Sequence, residues 1–144
     1  MEKIKKILNF WLPPFVWMGL IFFLSSFHKL QVSTIGWQDF ITRKTAHFLE
    51  YYILFLLFFR AFKNTSKIPF PRILFLSLIL TLLYSITDEF HQTFINGRSG
   101  KIFDIGVDFL GATFGAYFVI KLLPKSPQKI KSWFKKINVY YGAD

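Results

Sequence analysis

Five of the eight acidic residues, Glu50, Asp88, Glu89, Asp104 and Asp108, lie in or beside long apolar stretches, and the three histidines, His28, His47 and His91, fall near the ends of those stretches. Oxygen and imidazole donors at helical spacing can do two kinds of chemistry. His47-x-x-Glu50 and Asp88-Glu89-x-His91 offer a divalent ion such as Zn, Mn or Mg a mixed ligand set, and the ion would activate water against a phosphate or acyl ester. The candidate metal ligands are therefore His47, Glu50, Asp88, Glu89 and His91. Without a metal, Glu50 or Asp88 could serve as general base with His91 as proton shuttle, while Asp104 and Asp108 add two carboxylates. The catalytic candidates are thus Glu50, Asp88, His91, Asp104 and Asp108. Lys44 and Arg98 would hold an anionic head group, Arg98 bidentately, and Gln92 would orient a ligand or satisfy a neighbouring carboxylate. None of these spacings is a closed metal motif such as H-E-x-x-H, and the sequence has neither a Gly-rich phosphate loop nor a serine elbow.

The elements that must position these groups are membrane helices. Four apolar stretches, residues 10–27, 46–62, 70–88 and 102–123, have about the length needed to cross a bilayer, roughly 20 residues or a little less. Pro13 and Pro14 in the first predict a kink or a first-turn position. No small-x-small site follows that run, so it reads as a retained anchor. A chain of 144 residues that is 53% hydrophobic and 21% aromatic is too apolar for disorder, which requires a chain poor in such residues. The absence of cysteine excludes a disulfide-stapled domain and thiolate chemistry. The net charge of +10 is spread along the chain as topology signals and does not mark nucleic-acid binding.

If the four spans alternate, 13 of the 18 Lys and Arg residues fall on the side that holds both termini. The basic side belongs in the cytoplasm, so the 28–45 and 91–101 connections face out. Three separate segments then deliver polar ends to one region at the outer boundary. Ionisable groups beside hydrocarbon are costly unless paired or hydrated, so they should turn toward one another. Arg43, His47 and Glu50 share one helix side, as do Tyr84, Asp88, His91 and Gln92, with Glu89 about a quarter-turn away. Asp104, Asp108, Gly111 and Gly115 line up as well, and Gly111-x-x-x-Gly115 lets a neighbouring helix come close enough to carry both aspartates inside. Asn96-Gly97 and Gly100 supply the chemistry for a tight re-entrant turn. After Pro124, Ile130, Trp133, Phe134 and Ile137 recur at i, i+3, i+4 and i+7 among lysines, which reads either as an amphipathic helix on the anionic leaflet or as a solvated lysine tail.

These residues, in this order, resemble the VanZ-like family of small bacterial membrane proteins: Lys44, His47 and Glu50; then Asp88, Glu89, His91 and Gln92; then Gly97, Arg98, Asp104, Asp108, Gly111 and Gly115. The resemblance spans about residues 20–120. One departure is Asn96, where the family usually has proline before Gly-Arg. The family's best-known member is associated with resistance to the lipoglycopeptide teicoplanin, so the resemblance implies a phenotype rather than a mechanism.

The expectation is an all-α, four-helix transmembrane bundle over residues 1–124 with both termini cytoplasmic, followed by an amphipathic basic tail over residues 125–144. Its partners are membrane lipids and an amphiphilic envelope ligand, with no nucleic acid, and a divalent metal is the candidate cofactor. Two functions compete. One binds or modifies an amphiphilic envelope molecule at an outward polar pocket. The other is a scaffold in which the charged cluster is a structural ion-pair network.

Overall fold

The computed structural model describes residues 1–27, 36–96 and 100–142. Four helices, α1 (Glu2–Ser25), α2 (Gly36–Thr65), α3 (Phe70–Gln92) and α4 (Ile102–Tyr117), are followed by a short helix α5 (Gln128–Lys136). With the turns that extend α4 to Lys125, four segments among the described residues are long and apolar enough to cross a membrane.

Local chemistry sets the element ends. Pro71 sits in the first turn of α3, where a backbone N–H would have no helical partner in any case. At the other end of α4, Pro124 has no N–H to offer and its ring crowds the preceding turn. There the helix widens into a π turn over Phe118–Leu122 and then tightens over Leu123–Lys125. Pro13 and Pro14 lie in the middle of α1, which begins at Glu2, so the first-turn alternative for this pair is excluded. Helix α2 begins ten residues before the apolar stretch that announced it. Its 30 residues make about 45 Å at 1.5 Å per residue, well over a hydrocarbon layer of about 30 Å. The surplus carries Asp39, Arg43 and Lys44 beyond the apolar zone.

Helix α2 is the central element and packs on α1, α3 and α4. Its closest neighbour is α4, through the glycines that predicted a close approach. A methyl group added at Gly111 would lie 2.2 Å from the backbone oxygen of Phe48, and one at Gly115 would lie 2.6 Å from the Phe55 ring. The interior has two apolar clusters: Phe55, Phe59, Ile73, Ala112, Ala116, Val119 and Val139 towards the end that holds the termini, and Ile21, Tyr51, Leu54 and Phe58 beside α1. Large apolar residues such as Phe15, Val16, Phe23, Phe75 and Leu110 point outward. That is the arrangement of a bundle solvated by lipid rather than water.

The basic tail folds back onto the bundle. The Arg60 guanidinium Nε donates to the carbonyl of Ile137 at 2.8 Å and lies over the Phe10 ring, while Lys63 and Asn64 reach the carbonyls of Tyr140 and Asn138. Tyr141 stacks on Phe70, with ring centroids 4.1 Å apart. Of the expected apolar stripe, Phe134 and Ile137 pack inward, whereas Ile130 and Trp133 remain exposed beside the lysines. The tail is therefore amphipathic and docked, not a free lysine string.

Candidate functional site

At the end of the bundle opposite the termini, α1, α2, α3 and α4 bring their polar residues together. The convergence inferred from the sequence is present. Asp88, Glu89, Gln92, Asp104 and Asp108 are all buried, and the four carboxylates are each engaged by a neighbouring element.

Asp108 is the most enclosed, with no exposed surface. Its Oδ1 lies 3.0 Å from His47 Nδ1, and its Oδ2 accepts the Ser85 hydroxyl at 2.6 Å. One carboxylate thus joins α2, α3 and α4. One turn earlier on α4, Asp104 pairs with the ammonium of Lys44, which also lies near the Phe40 and Phe103 rings. Lys44 was expected to wait for an anionic head group, and the structure instead commits it to a carboxylate. Asp39 and Arg43 form a third ion pair, at 2.8 Å, in the overhanging first turns of α2.

On α3, Asp88 and Glu89 point in different directions, as their helical spacing predicts, and both side chains are buried. Consecutive helical positions differ by about 100°, but this end of α3 is flanked on two sides. Asp88 faces α1 and accepts the Ser25 hydroxyl at 2.7 Å. Glu89 faces the start of α4 and accepts the Lys101 backbone N–H at 2.8 Å. The Gln92 amide bridges the two, at 2.9 Å from Asp88 and 3.3 Å from Glu89. A side chain at Gly100 would strike the Glu89 carbonyl at 2.3 Å, so the approach to α4 lies close against the end of α3; Gly97, the other glycine expected in a turn here, lies outside the described residues.

Between α1, α2 and α3 lies a cleft of ≈ 100 Å³ lined by Ile21, Leu24, Ser25, Arg43, Ala46, His47, Glu50, Asp88 and Gln92. The backbone of the lining residue Glu50 is held to α1 by the Trp17 indole, which donates to its carbonyl at 2.9 Å. Of the residues singled out from sequence, Glu50, Asp88, His47 and Gln92 meet in this cleft. His91 lies elsewhere, its imidazole against the Phe22 ring at 4.1 Å between centroids. Its buried Nδ1 has no hydrogen-bond partner among the described residues. Arg98 and His28 lie outside the described residues.

The proposed metal ligands divide. His47 and Glu89 do come together, but with Asp104, their donor atoms all lying within 4.8 Å of one another. Glu50 and Asp88 belong to the cleft and His91 to the α1 contact. Sequence reasoning missed Ser25, although a serine closing an apolar run is a visible signal. It also missed Tyr51, whose hydroxyl is buried without a partner among the described residues. The buried Ser77 and Thr81, deeper on α3, donate at 2.7 Å to carbonyls of their own helix.

The family model VanZ/LLP1 matches residues 2–123, and the chain belongs to that family. Comparison with curated proteins and with solved structures gave no match.

Proposed function

We propose that this VanZ-family, multi-pass membrane protein binds or modifies an amphiphilic cell-envelope molecule whose polar head enters the cleft between α1, α2 and α3. The observation that supports this most directly is the composition of the cleft. Arg43, His47, Glu50, Asp88, Ser25 and Gln92 stand beside Ile21, Leu24 and Ala46, and such a mixture suits a head group with an apolar tail left in lipid. Arg43, by exchanging its Asp39 partner, would face an acidic group of the head, and Glu50 and Asp88 its hydroxyl or ammonium donors.

Size narrows the ligand. Pockets for whole drug-sized molecules measure about 300–1,000 Å³, and this cleft is ≈ 100 Å³. A lipid or lipid-linked precursor, of which only the head must enter, fits the volume better than an entire lipoglycopeptide such as teicoplanin. If the head is transformed, Glu50 and Asp88 are the groups placed to accept a proton from it. The Lys and Arg distribution supports a location in the bacterial cytoplasmic membrane with both termini inside and the cleft at the outer leaflet.

A second reading is a non-catalytic scaffold, and Asp108 favours it: fully buried and bonded to two other helices, it has the contacts of a structural tie. The two readings separate by experiment. Purified protein is incubated with total envelope lipid, and the bound and free fractions are compared by mass spectrometry. A changed lipid supports modification, and selective retention supports binding. Absence of both a changed lipid and selective retention supports the scaffold.

A further inference from the structure

The cluster beyond the cleft carries a separate conclusion. We propose that His47, Glu89 and Asp104 form a site for one divalent transition-metal ion of the zinc or manganese class. The three come from three helices, α2, α3 and α4, and their donor atoms lie within 4.8 Å of one another. Bonds of about 2.0–2.2 Å to a tetrahedral ion put ligand atoms about 3.4 Å apart, so the side chains need only draw together slightly. One imidazole with two carboxylates favours zinc or manganese over magnesium or calcium, which take oxygen alone.

Two features beyond this proximity point to a cation. The first is the state of His47. Its Nδ1 is engaged by Asp108, which leaves Nε2 for a metal and fixes the ring, as carboxylate–histidine pairs do around metal sites. The second is charge. Glu89 is 3% exposed, and among the described residues its partners are an amide and a backbone N–H rather than a cation. It lies within electrostatic reach of both Asp104 and Asp108. Lys44 neutralises one of these three carboxylates through Asp104 Oδ1, leaving Asp104 Oδ2 available. A buried excess of negative charge beside hydrocarbon is unfavourable, and a divalent ion removes it. Three protein ligands leave at least one coordination position open. His47 also lines the cleft, so that position would adjoin whatever enters there. The metal site itself stands whether or not the cleft takes a lipid.

The test uses the full chain in detergent, stripped with chelator and titrated calorimetrically with ZnCl₂ and with MnCl₂. Saturable binding of one ion per chain is expected for at least one of them. Glu89→Gln and Asp104→Asn should each weaken it by about tenfold or more, and Asp108→Asn, which removes only the orienting carboxylate, by about 10–100-fold. Asp39→Asn, a buried carboxylate outside the trio, should stay within about threefold of wild type. Circular dichroism and gel filtration establish that each variant is folded, and His47→Gln replaces any that is not. Pulsed electron paramagnetic resonance of the Mn²⁺-loaded protein should show a coordinated imidazole nitrogen that His47→Gln removes. Absence of stoichiometric binding, or ligand variants that bind as wild type, would overturn the site. Lipid retention by the metal-free protein would leave the reading of the cleft intact in that case.

Discussion

The imidazole of His47 and the carboxylate of Asp108 meet at 3.0 Å across the α2–α4 interface, at the depth where Gly111 brings the two backbones together. The small residue makes room for the buried polar pair, and the pair in turn fixes how α4 is rotated against α2.

That relationship predicts the effect of removing Asp108. Asp108→Ala leaves His47 and the buried Ser85 without their acceptor, and breaking a buried pair of this kind costs about 3–5 kcal/mol. Asp108→Asn retains one acceptor oxygen and should lose less. Thermal unfolding in detergent should rank the melting temperatures wild type, then Asn, then Ala. An Ala variant as stable as wild type would show that the pair does not tie the helices.

Glycines in α4 should behave in opposite ways. Gly111→Ala drives a methyl group against the Phe48 backbone, which cannot yield as a side chain can, and should cost about 1–3 kcal/mol. At Gly106 the added methyl meets nothing within 4 Å, so Gly106→Ala should be neutral or raise stability by up to about 1 kcal/mol through helix propensity. The same unfolding assay reads both changes.

Orientation is open to direct labelling because the chain has no cysteine. Asn96→Cys sits between α3 and α4, and Gln128→Cys opens α5 on the opposite end of the bundle. The basic bias predicts that a membrane-impermeant maleimide labels Asn96→Cys on intact cells. Gln128→Cys should label only after permeabilisation. The reverse pattern would place the cleft at the inner leaflet.

The docked tail depends on Arg60. Arg60→Ala removes a charged donor to the Ile137 carbonyl and the cation over the Phe10 ring, together worth about 2 kcal/mol. Limited trypsin digestion should then cut faster after Lys135 and Lys136, while the remainder of the bundle stays resistant. Unchanged digestion would mean that Lys63 and Asn64 hold the segment without it.

Much of the architecture was legible in the residues because membrane solvation forces a simple pattern: long apolar runs become helices, and charged residues on them turn inward. Asp104 and Asp108 were assigned to the interior from their register with Gly111 and Gly115, and they are buried there. The start of α2 was not legible, because hydropathy marks the hydrocarbon layer and not the helix, and residues 36–45 extend beyond it. The burial of Glu89 was not legible, because helical period gives the angle between neighbours but not how many helices flank them. Asp88 and Glu89 point in different directions and are both covered. The commitment of Lys44 to Asp104 was invisible for a similar reason: pairing depends on which of several nearby opposite charges the packing selects.

The central claim is that the cleft carboxylates are held for a ligand and do not tie the bundle together. Its most direct test is the melting temperature, in detergent, of Asp88→Asn beside wild type. Asp88 accepts from Ser25 and Gln92 and has no cation partner among the described residues. Asn can present its oxygen to the Gln92 amide, which keeps its bond to Glu89, and donate its NH₂ to the Ser25 hydroxyl, which in turn donates to the Phe22 carbonyl. Removing the charge also relieves repulsion from the neighbouring Glu89 and Glu50. The account therefore predicts a melting temperature equal to or above that of wild type, as expected where a site is kept for function at some expense of stability. A clear drop, on the scale of several kcal/mol expected for a broken buried ion-pair network, would contradict it and favour the scaffold.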